Sequence, residues 1–340
     1  MRVSAVGAQS VRGDQRCRPQ AFFPSRDRGP DVLIVGEVDT GLLRGRDPTA
    51  GGDGRDLVAL VLGEQVLVST RPRGYVRSPE RPVGVDCSLG GKRQTRGIGT
   101  ALQRAAVTDR EVVQGSAYAT LVNASSTARR PWSHYLARPG VIEAIGRTAW
   151  PDLAEALAAA DRVPATLDLG AVARRATDQV QSAARPGGAD TLRAARSRLR
   201  WVARVEKDGP ALAGVHFDVV DRRLRLLRFT TSHDRAAGLA AACEDIALHD
   251  WLLSTLIESV HKAAIGLETR AETLKRLLPA IDRLLHLWMP AARADDLTEQ
   301  FWTVLERRAG FTRQWTTLVD RVRDQLSVGV AAALSAAIRE

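Results

Sequence analysis

Lysine is nearly missing from this 340-residue chain: of its 49 basic residues only Lys92, Lys207, Lys262 and Lys275 are lysines, and the rest are arginines. Cysteine is almost as scarce. Cys17, Cys87 and Cys243 lie far apart with no C-x-x-C pair, which excludes a cysteine zinc site and a disulfide framework and fits a reducing compartment. Aromatic residues make up 5% of the chain, too few for an extended base-stacking platform. No run of 18 apolar residues occurs and the N-terminus lacks the apolar core of a secretion signal, so the expectation is a cytoplasmic protein with no membrane partner. Phosphate-loop glycines are lacking too. Gly90-Gly91-Lys92-Arg93-Gln94-Thr95 does not follow the G-x-x-x-x-G-K-[ST] order, and Gly97-Ile98-Gly99 has no third glycine, so no cofactor is expected.

What is present is ordinary core-forming material, 44% hydrophobic and 26% charged, with the length of about two average domains. Residues 1–30 hold six arginines against two acids and no apolar period, and are expected to be a disordered basic extension. Residues 31–130 read as a β-rich domain. It opens on the β-branched run Asp31-Val32-Leu33-Ile34-Val35-Gly36, passes a Gly/Asp-rich loop over 47–54, and includes two extended segments between Gly97 and Val122 joined at Thr108-Asp109-Arg110. Residues 131–190 read as a helical connector, with helical spacing over 141–147, 151–160 and 169–184. A second β unit spans 191–230 and turns at Asp221-Arg222-Arg223.

From 231 to 340 the pattern is helical. Thr231 with Asp234, Thr269 with Glu272 and Asp296 with Glu299 have the spacing of capping boxes, Gly266 and Gly310 sit where helices should stop, and Pro279 predicts a break near Leu278. The fold class expected is α+β: two antiparallel β-rich units with intervening helices and a helical C-terminal region. The stripe Phe311, Trp315, Leu318, Val322, Leu326, Val330, Leu334 and Ile338 makes the last helix amphipathic over its whole length. The preceding helix is too short to cover it beyond Val328, so a homo-oligomer through the C-terminal helices is a further expectation.

Charge is unevenly distributed. The chain carries +10 overall, of which +4 falls in residues 1–30 and +6 in residues 191–230. A GC-rich genome produces arginine everywhere, and this localisation weakens that account for these two segments. In Arg196-Ser197-Arg198-Leu199-Arg200 the arginines alternate, and Arg223 and Arg225 repeat the alternation after the turn. The five arginines are expected to form one basic sheet face, a candidate anion-binding surface for an acidic protein or for nucleic acid.

Two other constellations bear on chemistry. Trp132-Ser133-His134-Tyr135 brings a serine and a histidine together, but neighbouring side chains diverge and no G-x-S-x-G elbow exists, so a structural linker is expected. In Cys243 to Leu253, Asp245 lies one helical turn before His249 on a helix whose apolar positions nearly surround it. This pair is a candidate functional polar site, read either as a buried packing device or as the centre of an enzyme. Glu258-Ser259-Val260-His261 has the E-x-x-H form of carboxylate-bridged metal helices but lacks the second copy that chemistry requires, and His286 falls opposite the apolar stripe of its helix, so no metal is expected.

The stretches 131–143, Leu167-Asp168-Leu169-Gly170 and Cys243 to Leu253 resemble an uncharacterised actinobacterial protein family, over roughly residues 31–265. That family belongs to a multi-gene cassette that also encodes a variant P-loop protein and a methyltransferase-like protein. The resemblance implies protein partners, the P-loop protein among them, and no catalytic residue. Together these readings favour a non-catalytic cytosolic adaptor or assembly component. The rivals are an arginine-rich nucleic-acid-binding module and an enzyme built on Asp245 and His249.

Overall fold

Ten strands, β-branched or apolar along most of their length, form one mixed sheet with helices on both faces. The structure is a computed structural model describing residues 32–44, 55–59, 66–69, 73–90, 95–146, 150–159, 165–184, 192–207, 209–263, 265, 269–292, 296–308 and 310–337. The basic extension 1–30, the loop 47–54, the interior of the 90–95 glycine motif and Gly266 lie outside the described residues.

In chain order the elements are β1 (Val32–Leu42), α1 (Arg55–Val58), β2 (Leu67–Ser69), β3 (Tyr75–Arg77), β4 (Arg81–Gly90), β5 (Thr95–Thr108) and β6 (Val112–Asn123). There follow α2 (Trp132–Leu136), β7 (Val141–Ile145), α3 (Trp150–Ala158), α4 (Leu169–Ala183), β8 (Ser197–Glu206), β9 (Leu212–Val219) and β10 (Leu224–Ser232). The chain closes with α5 (Leu239–Lys262), α6 (Arg270–Leu284), α7 (Asp296–Arg308) and α8 (Phe311–Ala337). The α+β class expected from the sequence is the class observed.

The sheet order is β2-β3-β5-β7-β6-β1-β8-β10-β9, with β4 added to the side of β5. The two β segments of the sequence are therefore joined: β1 is central, antiparallel to β6 on one side and to β8 on the other. Most pairings are antiparallel, but β6–β7 and β8–β10 are parallel. β10 inserts between β8 and β9, which leaves β9 at an edge.

Because β1 is covered on both faces it is buried along almost its whole length, and it reads as a hydrophobic run with few breaks. One core lies between the sheet and α5 to α8, built on Trp201, Leu227, Phe229, Trp251 and Phe301. A second lies between the opposite face and α3 and α4, with Leu33, Val35, Leu121, Val202 and Leu153. Gly115 of β6 brings α4 onto the sheet: a Cβ there would stand 2.1 Å from the Ala173 carbonyl oxygen.

Several expectations are corrected. Val141–Ile145 is a strand, because a five-residue run with Val141, Ile142 and Ile145 fits the slot between β5 and β6. Thr231 lies within β10 and gives its hydroxyl hydrogen to the Ala211 carbonyl; a 3-10 turn over His233–Gly238 leads into α5 instead of a capping box. Thr269 does cap α6, accepting from the Glu272 N–H at 3.3 Å. Pro279 lies inside α6 without ending it, with the helix continuous from Arg270 to Leu284. α8 packs on α5, α6 and α7. Leu274 of α6 reaches Gly329, where an added Cβ would lie 2.8 Å from it, so α6 covers α8 past the Val328 limit expected from the sequence.

Candidate functional site

The arginines of the second β segment do not form one exposed basic face. Arg196, Arg198 and Arg200 do share a side of β8, as their alternation requires, but that side faces Glu37 and Asp39 of β1. Glu37 accepts from Arg198 and from Arg200, each at 3.3 Å. Arg196 lies 2.6 Å from Asp178 of α4 and 3.5 Å from Asp39. Arg225 projects from the other side of the sheet, where its Nε lies 3.1 Å from Asp250 and its NH2 donates to Ser254. Arg223 stands exposed at the β9–β10 turn, whose backbone is folded by Asp221 accepting from the N–H groups of Arg223 and Leu224. The complementary signal lay in β1, where Glu37 and Asp39 alternate with the same period as the arginines.

Asp245 and His249 are closed in. Asp245 accepts from the Trp302 indole N–H at 2.7 Å and from the Ala291 N–H at 3.3 Å. The Met289 N–H points at His249 Nε2 at 3.2 Å, so Nε2 is the acceptor nitrogen and Nδ1 carries the hydrogen, which it donates to the Asp245 carbonyl at 2.8 Å. Trp288 and Trp302 stand edge-on to the imidazole, and His249 is 1% exposed. Nε2 thus holds the 288–291 segment onto α5, Nδ1 is occupied within α5, and the Asp245 carboxylate holds both that segment and α7. This is the geometry of a packing device.

The acids on either side of this pair do similar work. Glu244 receives Arg104 of β5 through two hydrogen bonds of 2.7 and 2.9 Å, together with the Ser116 hydroxyl. Burial pushes its carboxyl up, but the charge and hydrogen bonds of Arg104 outweigh burial and hold it below the ordinary range. For Asp250 burial prevails over Arg225, and its carboxyl is raised. Asp39 is raised for the same reason, since Arg196 only partly offsets its burial. The remaining expected sites are likewise internal or solvated. His134 and Arg138 both bind Glu143, at 2.9 and 2.7 Å, closing α2 over β7. His286 pairs with Asp109 at 3.1 Å and is half-buried, not solvated as its helical position suggested. Glu258 and His261 are exposed, and among the described residues no three His, Cys, Asp or Glu side chains converge as metal ligands.

A concavity lies elsewhere. An open groove of about 710 Å³ runs along the exposed side of α4 and is lined by Arg81 of β4 and by Arg174, Arg175, Asp178, Gln179 and Ser182. Its floor is rigid. Asp168 caps α4 by accepting from Ala171 at 2.8 Å, Gln103 donates to the Val172 carbonyl at 3.2 Å, and Thr177 donates to the Asp39 carbonyl at 3.4 Å. Asp178 is engaged by Arg196, whereas Arg174 and Arg175 are exposed and make no ion pair among the described residues. Two guanidiniums held on a fixed helix present planar donor forks to an anion. The groove offers no base or nucleophile aligned for covalent chemistry, and no aromatic residue on which a base could stack. Sequence reasoning placed the α4 helix but missed the site. The signal available was the polar stripe Arg174, Arg175, Asp178, Gln179 and Ser182 opposite Ala173, Ala176 and Val180.

Compared with known proteins, the chain matches no family model, no curated protein and no solved structure.

Proposed function

We propose that this protein is a non-catalytic adaptor or assembly component that engages an acidic protein partner through the α4 groove. The observation that carries the reading is the groove itself: wide, shallow and open, with Arg174 and Arg175 uncommitted on a helix fixed to the sheet. Such a surface suits a macromolecular contact, since small-molecule sites are enclosed and mostly apolar. A variant P-loop protein encoded in the same cassette is the partner to test first. The nucleic-acid reading draws on the same guanidiniums, but the five arginines on which it first rested are distributed over two sheet faces and a turn.

The test is binding of the reconstituted partner to wild-type protein and to Arg174→Glu/Arg175→Glu, which lies on an exposed surface and should leave the melting temperature unchanged. Charge reversal should weaken binding at least tenfold. Unchanged affinity in the variant removes the groove from the interface. Binding of duplex DNA whose affinity falls with salt at a log–log slope of about −0.9 per phosphate contacted would favour the nucleic-acid module instead.

A further inference from the structure

The groove is bordered by a sheet edge. Among the described residues β4 pairs with β5 on one side only, in the register Arg81↔Gln103 through Ser88↔Arg96. Ser88 shows which backbone groups of β4 face outward. Its N–H donates to the Ala165 carbonyl at 3.2 Å and its carbonyl accepts from the Leu167 N–H at 2.9 Å, so the segment leading into α4 forms a one-residue parallel bridge there. Outward-facing residues alternate along a strand, which puts Asp86, Gly84 and Pro82 on the same outer edge as Ser88. Pro82 has no N–H to offer, as suits an edge position. Gly84 and Asp86 are exposed, and among the described residues nothing bonds to their outward N–H and C=O groups.

The surroundings of this open edge are cationic on both faces. On the α4 face lie the groove arginines Arg174 and Arg175. On the other face Arg96 and Arg129 share the single carboxylate of Asp86, at 2.7 and 3.3 Å, leaving one positive charge in excess. Acidic side chains pointing to either face of an added strand would therefore meet guanidinium.

We infer that the β4 edge at Gly84 and Asp86 is a strand-addition site, at which an extended acidic segment of the partner protein pairs its backbone with β4 while its carboxylates reach the arginines on the two faces. The inference rests on the adaptor reading of the α4 groove and specifies how the partner is held. Main-chain bonds would supply affinity independent of sequence, and the arginines would select for acidic side chains.

The experiment is residue-resolved amide exchange on the full-length protein, alone and with a decapeptide alternating Glu and Val. A matched peptide, N-methylated at every backbone nitrogen so that neither edge can donate, serves as control. In the free protein the Gly84 and Asp86 amides should exchange freely while Ser88 is protected. The decapeptide should slow Gly84 and Asp86 at least tenfold, the N-methylated peptide should bind at least tenfold more weakly, and Arg174→Glu/Arg175→Glu should abolish the protection. Three results overturn the inference: protection of Gly84 and Asp86 without any peptide, which means the edge is already covered; no protection at millimolar peptide; or equal binding of both peptides. If both peptides bind equally and charge reversal still releases them, the groove remains the docking surface and only strand addition fails. If the reconstituted partner is also indifferent to charge reversal, the adaptor reading of the groove fails with it.

Discussion

Arg104 and Glu244 form a deeply buried ion pair, with side chains that are each 4% exposed. A buried pair contributes little net stability over apolar groups of the same shape, yet removing one partner strands a charge. Arg104→Met should therefore cost about 3–5 kcal/mol in chemical denaturation, and the double variant Arg104→Met/Glu244→Leu should recover most of the loss. Because the Glu244 carboxyl is held below its ordinary value near 4.5, its contribution is fully present above that pH and is lost as pH falls through the folded value. Asp39 has the opposite sign. Its carboxyl is raised from 3.8, so the native state loses stability as pH rises through that window, and one of its oxygens has no hydrogen-bond partner. Asp39→Asn should then raise the melting temperature at pH 7 by more than at pH 4. A fall at pH 7 would mean that the Arg196 contact outweighs the burial of the charge. Asp245→Ala should cost about 1–3 kcal/mol by leaving the Trp302 N–H and the Ala291 N–H without acceptors, with a matching change in tryptophan fluorescence.

Among the elements, those with a regular hydrophobic period were legible in the sequence and those at the margins of the sheet were not. The β5–β6 hairpin was signalled by Thr108-Asp109-Arg110, and the structure puts Asp109 at φ 50° and Arg110 at φ 55°, the left-handed pair that a tight two-residue turn needs. α5 was signalled by apolar positions that nearly surround it, although Ile257 is 44% exposed toward its C-terminal end. β7 was misread because a five-residue run with four apolar residues fits either period, and only the vacancy between β5 and β6 decides between them. β4 was invisible: Pro82, Gly84 and Asp86 are residues that strands avoid. They are tolerated there because that edge is unpaired, so the features that hid the strand mark the open edge beside the candidate site. The placement of α4 depends on Gly115, a contact between residues far apart in sequence that no local pattern announces. Gly115→Val should destabilise the protein by about 1–3 kcal/mol and raise amide exchange along α4. Wild-type exchange rates in α4 would show that the helix can slide to accept the methyl groups.

At the scale of the whole molecule the sheet divides two layers with different tasks. On one side α5 to α8 bury the larger core, and their polar groups, Glu244, Asp245 and Asp250 included, are spent on anchoring the helices to strands and to each other. On the other side α3 and α4 cover less of the sheet, and the surface left between α4 and β4 is where charge remains uncommitted. The acid–histidine spacing grouped Asp245 with His249 in a buried setting, as the structure has them, whereas charge alternation grouped Arg196, Arg198 and Arg200 but not Arg223 or Arg225, and overstated their exposure, because exposure depends on which distant strand or helix arrives opposite.

The central place of β1 also dictates an order of events during synthesis. Its partners are β6, whose Leu121 pairs with Leu33 across 88 positions, and β8, whose Val205 pairs with Val32 across 173 positions of chain. A nascent chain that has emerged only as far as α4 holds β1 with one edge satisfied by β6 and the other bare, a hydrophobic strand edge of eleven residues waiting for β8. Chains halted before Ser197 should accordingly aggregate or remain bound to chaperones, and chains extended through Ser232, which supply both β8 and its cover strand β10, should regain solubility. The protein is thus born with its middle unfinished, and the ribosome must deliver two thirds of the polypeptide before the first strand is enclosed.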